Sequence, residues 1–98
     1  LNRKQYYESS EVLSLLTKDR PEDPDMWYRL AEVSGLAGDI ATVHKARAEY
    51  FILVGAFDRA RKQLSRAAVL LKHDFQQSAI IRQRLRDLAS IEERVIKL

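Results

Sequence analysis

Apolar and polar positions alternate along this chain with the period of an α-helix, and turn residues divide the pattern into five segments. Within each segment apolar residues recur three and four positions apart, which is the spacing of one helix face. The predicted helices cover residues 3–18, 25–37, 40–54, 57–71 and 75–95. Connections this short make consecutive helices antiparallel neighbours. The pattern therefore predicts an all-α fold of antiparallel helical hairpins that ends in a long C-terminal helix.

The third predicted helix, residues 40–54, differs from the others because apolar side chains occur on almost every side of it. Asp39 precedes it as a good N-cap, and Gly55 follows it where a helix commonly ends in the left-handed conformation. A helix that is apolar nearly all round is a buried helix. We therefore expect residues 40–54 to pack between neighbours on two sides.

Each of the other segments predicts one stripe that faces the core. The stripes are Tyr6, Ser9, Leu13 and Leu16 with Val12 and Leu15; Trp27, Leu30, Ala31, Ser34 and Ala37; Phe57, Ala60, Leu64, Ala67 and Leu71; and Ile81, Leu85, Leu88 and Val95. The fifth helix would be roughly 30 Å long, so we expect its last turns to overhang the others. Ile91, Ile96 and Leu98 would then be free to contact a partner.

Composition is that of a soluble globular chain of one domain, because 46% of the 98 residues are hydrophobic and 32% are charged. No stretch approaches the ~18 consecutive apolar residues of a membrane-spanning helix. The absence of cysteine excludes disulfides, thiolate catalysis and cysteine-based zinc sites. Because the first residues hold neither an initiating methionine nor a signal-peptide core, we expect this chain to be part of a longer protein.

Motifs that carry catalysis do not occur in the chain. The HExxH zinc signature is missing, and the histidines, His44 and His73, lie 29 residues apart. The sequence also contains no glycine-rich phosphate loop and no G-x-S-x-G turn. We therefore expect these residues to form neither a catalytic site nor a cofactor or metal site.

A spacing of half the tetratricopeptide period occurs in the middle of the chain. Gly38, Gly55 and Lys72 follow one another at intervals of 17 residues, and a tetratricopeptide repeat is a helix–turn–helix unit of about 34 residues. One match to that repeat consists of Trp27, Leu30, Ala31 and Gly38. The other consists of Ala48, Phe51, Gly55, Phe57, Ala60, Leu64 and Ala67, with departures at His44, Arg47 and Lys72. The match at Trp27–Gly38 makes residues 40–54 the second helix of a repeat. The match at Ala48–Ala67 makes the same residues the first helix of the following repeat, and both registers stay open.

Residues 30–67 resemble the C-terminal tetratricopeptide region of bacterial periplasmic zinc metalloproteases related to the beta-barrel assembly-enhancing protease BepA, and the likeness covers roughly residues 12–90. The likeness lies in VHKARAEYF at residues 43–51, in the G-x-F-x-x-A pattern that begins at Gly55, and in the pair Gln63-Leu64. It implies a short right-handed tetratricopeptide-like solenoid, a zinc-binding HExxH protease domain outside this chain, and a periplasmic location. It also implies that this chain is a non-catalytic module that binds segments of substrate or assembly machinery during outer-membrane protein assembly and quality control.

The candidate binding residues lie on the second and third predicted helices. They are Tyr28, Glu32, His44, Lys45, Arg47, Glu49 and Ile52, several of which occupy positions that often line the concave surface of tetratricopeptide repeats. Two interpretations of Arg47 stay open. It is either a buried cation that pairs with Glu32 or a helix-end carbonyl, or it joins His44 in a groove that holds an acidic side chain or a C-terminal carboxylate.

The charge distribution keeps other functions open. Residues 1–56 carry seven basic and nine acidic side chains, whereas residues 57–98 carry ten basic and five acidic ones. The basic half includes Arg59, Lys62, Arg66, Arg82, Arg84 and Arg86, so a nucleic-acid-associated domain is one alternative. The interleaved aromatic residues typical of such domains are missing, and we expect protein or peptide partners instead. A generic scaffold or co-chaperone domain unrelated to proteolysis is the other alternative.

Overall fold

In the computed structural model, which describes residues 2–97, the chain folds into five α-helices with no strand between them. They are α1 (Arg3–Asp19), α2 (Pro24–Ala37), α3 (Ile40–Leu53), α4 (Phe57–Leu70) and α5 (Phe75–Lys97). Each helix begins and ends within two residues of its predicted limits. The prediction of an all-α fold is confirmed.

Side chains and glycines define the ends of the central helix α3. The Asp39 carboxylate accepts hydrogen bonds from the Thr42 backbone N–H at 3.3 Å and from the Thr42 hydroxyl at 2.6 Å, so it caps the first turn. Gly38 and Gly55, which end the helices before and after this cap, have φ angles of 82° and 78°. Residues with a Cβ atom rarely adopt these left-handed angles, which is why glycine occupies both turns.

We expect alanine to have opposite effects at two glycines. Gly55→Ala should lower the free energy of unfolding by about 1 kcal/mol, because alanine at a positive φ is strained. Gly35→Ala should raise it by about 0.5–1 kcal/mol, because Gly35 is helical and its new Cβ would meet only Val43 Cγ2, at 3.6 Å. Urea unfolding followed by circular dichroism measures both. Destabilisation by Gly35→Ala would show that α2 and α3 pack more closely than described.

Consecutive helices pack against one another in chain order, so α3 lies between α2 and α4. Ala46 of α3 joins Leu30 and Ala31 in a buried cluster that Leu13 and Trp27 partly cover. A second cluster joins α3, α4 and α5 and consists of Ala48, Ala60, Leu64, Ala67, Ile81 and Leu88. Because α3 contributes to both clusters from different sides, it is the two-sided central helix that its sequence predicts.

The face that α1 presents to the core differs from the predicted stripe. Ser10 and Thr17 are buried, whereas Ser9 and Leu16 are exposed. Both buried hydroxyls donate to backbone carbonyls of their own helix, Ser10 to Tyr7 and Thr17 to Ser14, each at 2.7 Å. Neither of these two hydroxyls is therefore left without a partner, and these small side chains can occupy the interface. Val12 and Leu15 are exposed as well.

Two further expectations about exposure are corrected near helix ends. Ile40 and Val54, the first and last residues of the central apolar segment 40–54, are exposed. In α5, Val95 of the predicted stripe is exposed and Ile91 of the expected overhang is half-buried, and both differ from the expectation. Ile96 is exposed, as expected for the overhang. Leu98 lies outside the described residues.

Candidate functional site

A cavity of about 700 Å³ opens between α1, α3 and α5, and we call it the inner groove. Its walls are formed by Ser14 and Lys18 of α1, by Thr42, Lys45, Ala46 and Glu49 of α3, and by Gln77, Ile80, Ile81, Gln83, Arg84 and Asp87 of α5. Trp27 and Leu30 of α2 and Leu64 of α4 form its floor. The odd-numbered helices therefore enclose this cavity, and the even-numbered helices lie behind them.

An ion pair joins two walls of the inner groove. The Arg84 guanidinium donates to both carboxylate oxygens of Glu49, with Nε–Oε2 at 2.8 Å and Nη2–Oε1 at 2.6 Å. This hydrogen bonding raises the pKa of Arg84, so the cation is maintained despite partial burial. Lys45 Nζ also donates to Gln77 Oε1, at 3.3 Å. These bonds hold α5 against α3 along the groove.

Asp87 lies at the rim of the groove, and its charge is stabilised by its neighbours. Its carboxylate accepts a hydrogen bond from the Gln83 amide at 2.9 Å and another from Arg84 at 3.4 Å. The Gln83 bond is the main cause that lowers the pKa of Asp87 below its ordinary value. A depressed pKa in the folded state contributes stability above the unfolded pKa, and that contribution is lost as the pH falls through the folded one.

This arrangement predicts how Asp87 titrates. In Gln83→Ala the pKa of Asp87 should rise toward its ordinary value, because its main hydrogen-bond donor is removed. Carbon-detected NMR titration of the side-chain carboxyl groups measures the shift. Asp25, which lies in the first turn of α2, is the internal control. An unchanged pKa of Asp87 would mean that Arg84 and Arg86 stabilise the carboxylate without Gln83.

The remaining groups of the inner groove define what it can bind. Its carboxylates, Glu49 and Asp87, both bond to Arg84, whereas Lys18 and Lys45 have no ion-pair partner among residues 2–97. Ile80 is 52% exposed and extends the apolar floor toward the opening. The groove thus combines an apolar strip with two ammonium groups that are available to an anionic ligand.

The predicted site residues do not form one groove, and this expectation is corrected. Lys45 and Glu49 lie in the inner groove. Tyr28, Glu32 and Arg47 line a separate cavity of about 310 Å³ between α2 and α3, together with Ala31, Tyr50 and Phe51, which we call the aromatic pocket. The two cavities have no lining residue in common.

His44 and Ile52 lie outside both cavities, and the position of Arg47 disagrees with one of its two interpretations. His44 Nδ1 lies 2.7 Å from Gln63 Oε1 and so links α3 to α4 inside the fold. Ile52 packs against the cluster between α3, α4 and α5. Arg47 is exposed, so it is not a buried cation, and it forms no ion pair with Glu32 although both line the aromatic pocket. Neither His44 nor Ile52 lines the inner groove or the aromatic pocket.

Several residues of the inner groove were not among the predicted ones. Lys18, Thr42, Gln77, Ile80 and Arg84 come from three different helices. Each is ordinary in its own helix, and only the packing of α1, α3 and α5 brings them together. One signal was present in the sequence, since Lys45 and Glu49 are four residues apart and therefore share a helix face.

Comparisons of the chain with protein-family models, curated proteins and solved structures gave no match. None of the helices described between residues 2 and 97 has both the length and the apolar character needed to cross a membrane. In the same range no three histidine or acidic side chains are placed to hold a metal ion.

Proposed function

We propose that this chain is a tetratricopeptide-like interaction module whose inner groove binds an extended segment of a partner protein. The observation that carries this proposal is the groove itself, where an apolar strip of Trp27, Leu30 and Ile80 runs beside two unpaired lysines. An extended segment with apolar and acidic side chains complements both features.

The order of the helices supports a solenoid with one of the two repeat registers. The walls of the groove come from α1, α3 and α5, whereas α2 and α4 lie on the outer side. We propose that the first helix of each pair lines the concave inner surface of this solenoid. This favours α3 as the partner of α4 in one repeat and α1 as the partner of α2 in the preceding one.

We further propose that the module belongs to a periplasmic zinc metalloprotease that acts in outer-membrane protein assembly and quality control. The sequence resemblance at residues 43–51 and Gln63 is the basis for this proposal. The contact between His44 and Gln63 supports it, because two polar residues that carry the resemblance then share one role, the link between α3 and α4. The module would be non-catalytic, and zinc would be bound by a protease domain outside these residues.

Site-directed photocrosslinking in the periplasm tests the proposed function. A photoreactive side chain at Ile80, in the inner groove, should crosslink to outer-membrane proteins or their assembly machinery. Val69 on α4 is the matched control, because it is an aliphatic residue that is 66% exposed and lies outside the groove. Equal crosslinking at both positions, or crosslinking only at Val69, would contradict the role of the groove.

A scaffold or co-chaperone domain in an unrelated protein would use the same groove. The sequence of the complete gene separates the two contexts. An upstream HExxH motif would support the protease context, and a complete gene without that motif would exclude it.

A further inference from the structure

The aromatic pocket on α2 and α3 contains rings that the inner groove does not use. Tyr28 and Tyr50 meet edge to face with centroids 5.6 Å apart and an interplanar angle of 62°. Tyr50 and Phe51 meet in the same way, at 5.6 Å and 68°. The Arg59 guanidinium of α4 lies 6.0 Å from the centre of the Phe51 ring. These contacts form a continuous row of side chains across three helices, and Tyr28 at its end is 58% exposed.

Polar groups around the aromatic pocket have no partners in the described chain. Glu32 on α2 and Arg47 on α3 both line the cavity, yet within residues 2–97 neither takes part in an ion pair. The hydroxyl groups of Tyr28 and Tyr50 likewise have no hydrogen-bond partner among the side chains of this range. The pocket therefore offers ring surfaces, several hydrogen-bond donors and one charge of each sign.

We propose that the aromatic pocket binds a short proline-containing segment in the polyproline II conformation, flanked by a basic and an acidic residue. Proline-rich segments dock against grooves lined by aromatic rings, and Tyr28, Tyr50 and Phe51 all line this cavity. A polyproline II segment makes no internal hydrogen bonds, so its carbonyl groups can accept from the hydroxyls of Tyr28 and Tyr50. Its basic flank pairs with Glu32, and its acidic flank pairs with Arg47.

Other ligand classes match these features less well. An α-helix has already used its backbone carbonyls and requires a broad apolar surface, whereas this cavity of about 310 Å³ receives only one or two side chains. Single-stranded nucleic acid stacks its bases on exposed ring faces, and Glu32 would lie against its phosphates. The size, donors and charges of the pocket thus favour the extended proline segment.

NMR spectroscopy of the ¹⁵N-labelled chain tests this site with a synthetic peptide of two prolines between one arginine and one aspartate. We expect saturable shift changes at Tyr28, Tyr50 and Phe51 and none at Lys18 or Ile80. Tyr28→Ala should weaken binding about tenfold or more, because it removes an exposed ring from the contact. Tyr7→Ala on α1 is the matched control, since Tyr7 is 50% exposed and outside the pocket, and it should leave the affinity within about twofold.

Charge variants test the orientation of the segment. Arg47→Gln should weaken binding of this peptide, but it should not affect a peptide in which alanine replaces the aspartate. Circular dichroism confirms that each variant is folded. The proposal is overturned if the peptide does not bind, if it shifts inner-groove residues instead, if a peptide with glycines for prolines binds equally, or if Tyr28→Ala retains full affinity. Failure of the Ile80 crosslinking leaves this prediction unaffected, because the two cavities share no residue.

Discussion

Replacing Leu64 with alanine is expected to lower the free energy of unfolding by about 2–5 kcal/mol. Leu64 is 2% exposed and belongs to the cluster that joins α3, α4 and α5. It also contributes to the floor of the inner groove. Truncation would therefore remove buried apolar contacts and leave a cavity that the alanines around it are too small to fill. Urea unfolding followed by circular dichroism gives the free energy.

Leu70→Ala is the control for this prediction. Leu70 is on the same helix and has the same side chain, but it is 53% exposed and outside both buried clusters. We expect its loss to change the stability by no more than about 0.5 kcal/mol. Similar losses for the two variants would mean that α4 presents a different face to its neighbours.

The helices could be predicted from the sequence because their signals are local. Asp39 and Gly55 define the ends of α3 through their own backbone preferences, which do not depend on other helices. The stripe of Ala60, Leu64 and Ala67 identifies the buried face of α4 because the opposite face is charged. Local chemistry of this kind is sufficient to predict the fold class.

The candidate site could not be predicted in the same way because α3 is apolar on most sides. Such a helix does not indicate which side faces which neighbour. Arg47 shares a stripe with Val43, at a separation of four residues, and the helical angle between them is only about 40°. Val43 is nevertheless buried and Arg47 is exposed. Arg47 lies two residues from Lys45 and two from Glu49, about 160° away around the helix, and lines a different cavity from theirs.

Hydroxyl residues limit the prediction for α1. Ser10 and Thr17 are polar in any sequence pattern, yet each donates to a carbonyl of its own helix and packs in the interface. The apolar pattern therefore predicted that the buried face of α1 includes Leu16, which is in fact exposed. Apolar periodicity therefore fails to predict burial at residues whose hydroxyls bond to carbonyls of their own helix.

Replacing Arg84 with alanine should have the second large effect, a loss of about 1–3 kcal/mol in the free energy of unfolding. The carboxylate of Glu49 is only 18% exposed and accepts two hydrogen bonds from Arg84. Without them, a largely buried carboxylate would lack its partner. Because this ion pair connects two walls of the inner groove, hydrogen exchange should also become faster in the first half of α5.

A double-mutant cycle with Glu49→Ala separates the ion pair from other effects of the substitution. We expect a coupling free energy of about 1 kcal/mol or more between Arg84 and Glu49, because Nε and Nη2 of the guanidinium each donate to one carboxylate oxygen. The pair Lys97–Glu93 is the matched control, because Glu93 is 65% exposed and solvent weakens the attraction between the two charges. The coupling free energy of this pair should not exceed about 0.5 kcal/mol. Equal coupling in the two cycles would show that α5 is held against α3 by Ile81 and Leu88 rather than by the ion pair.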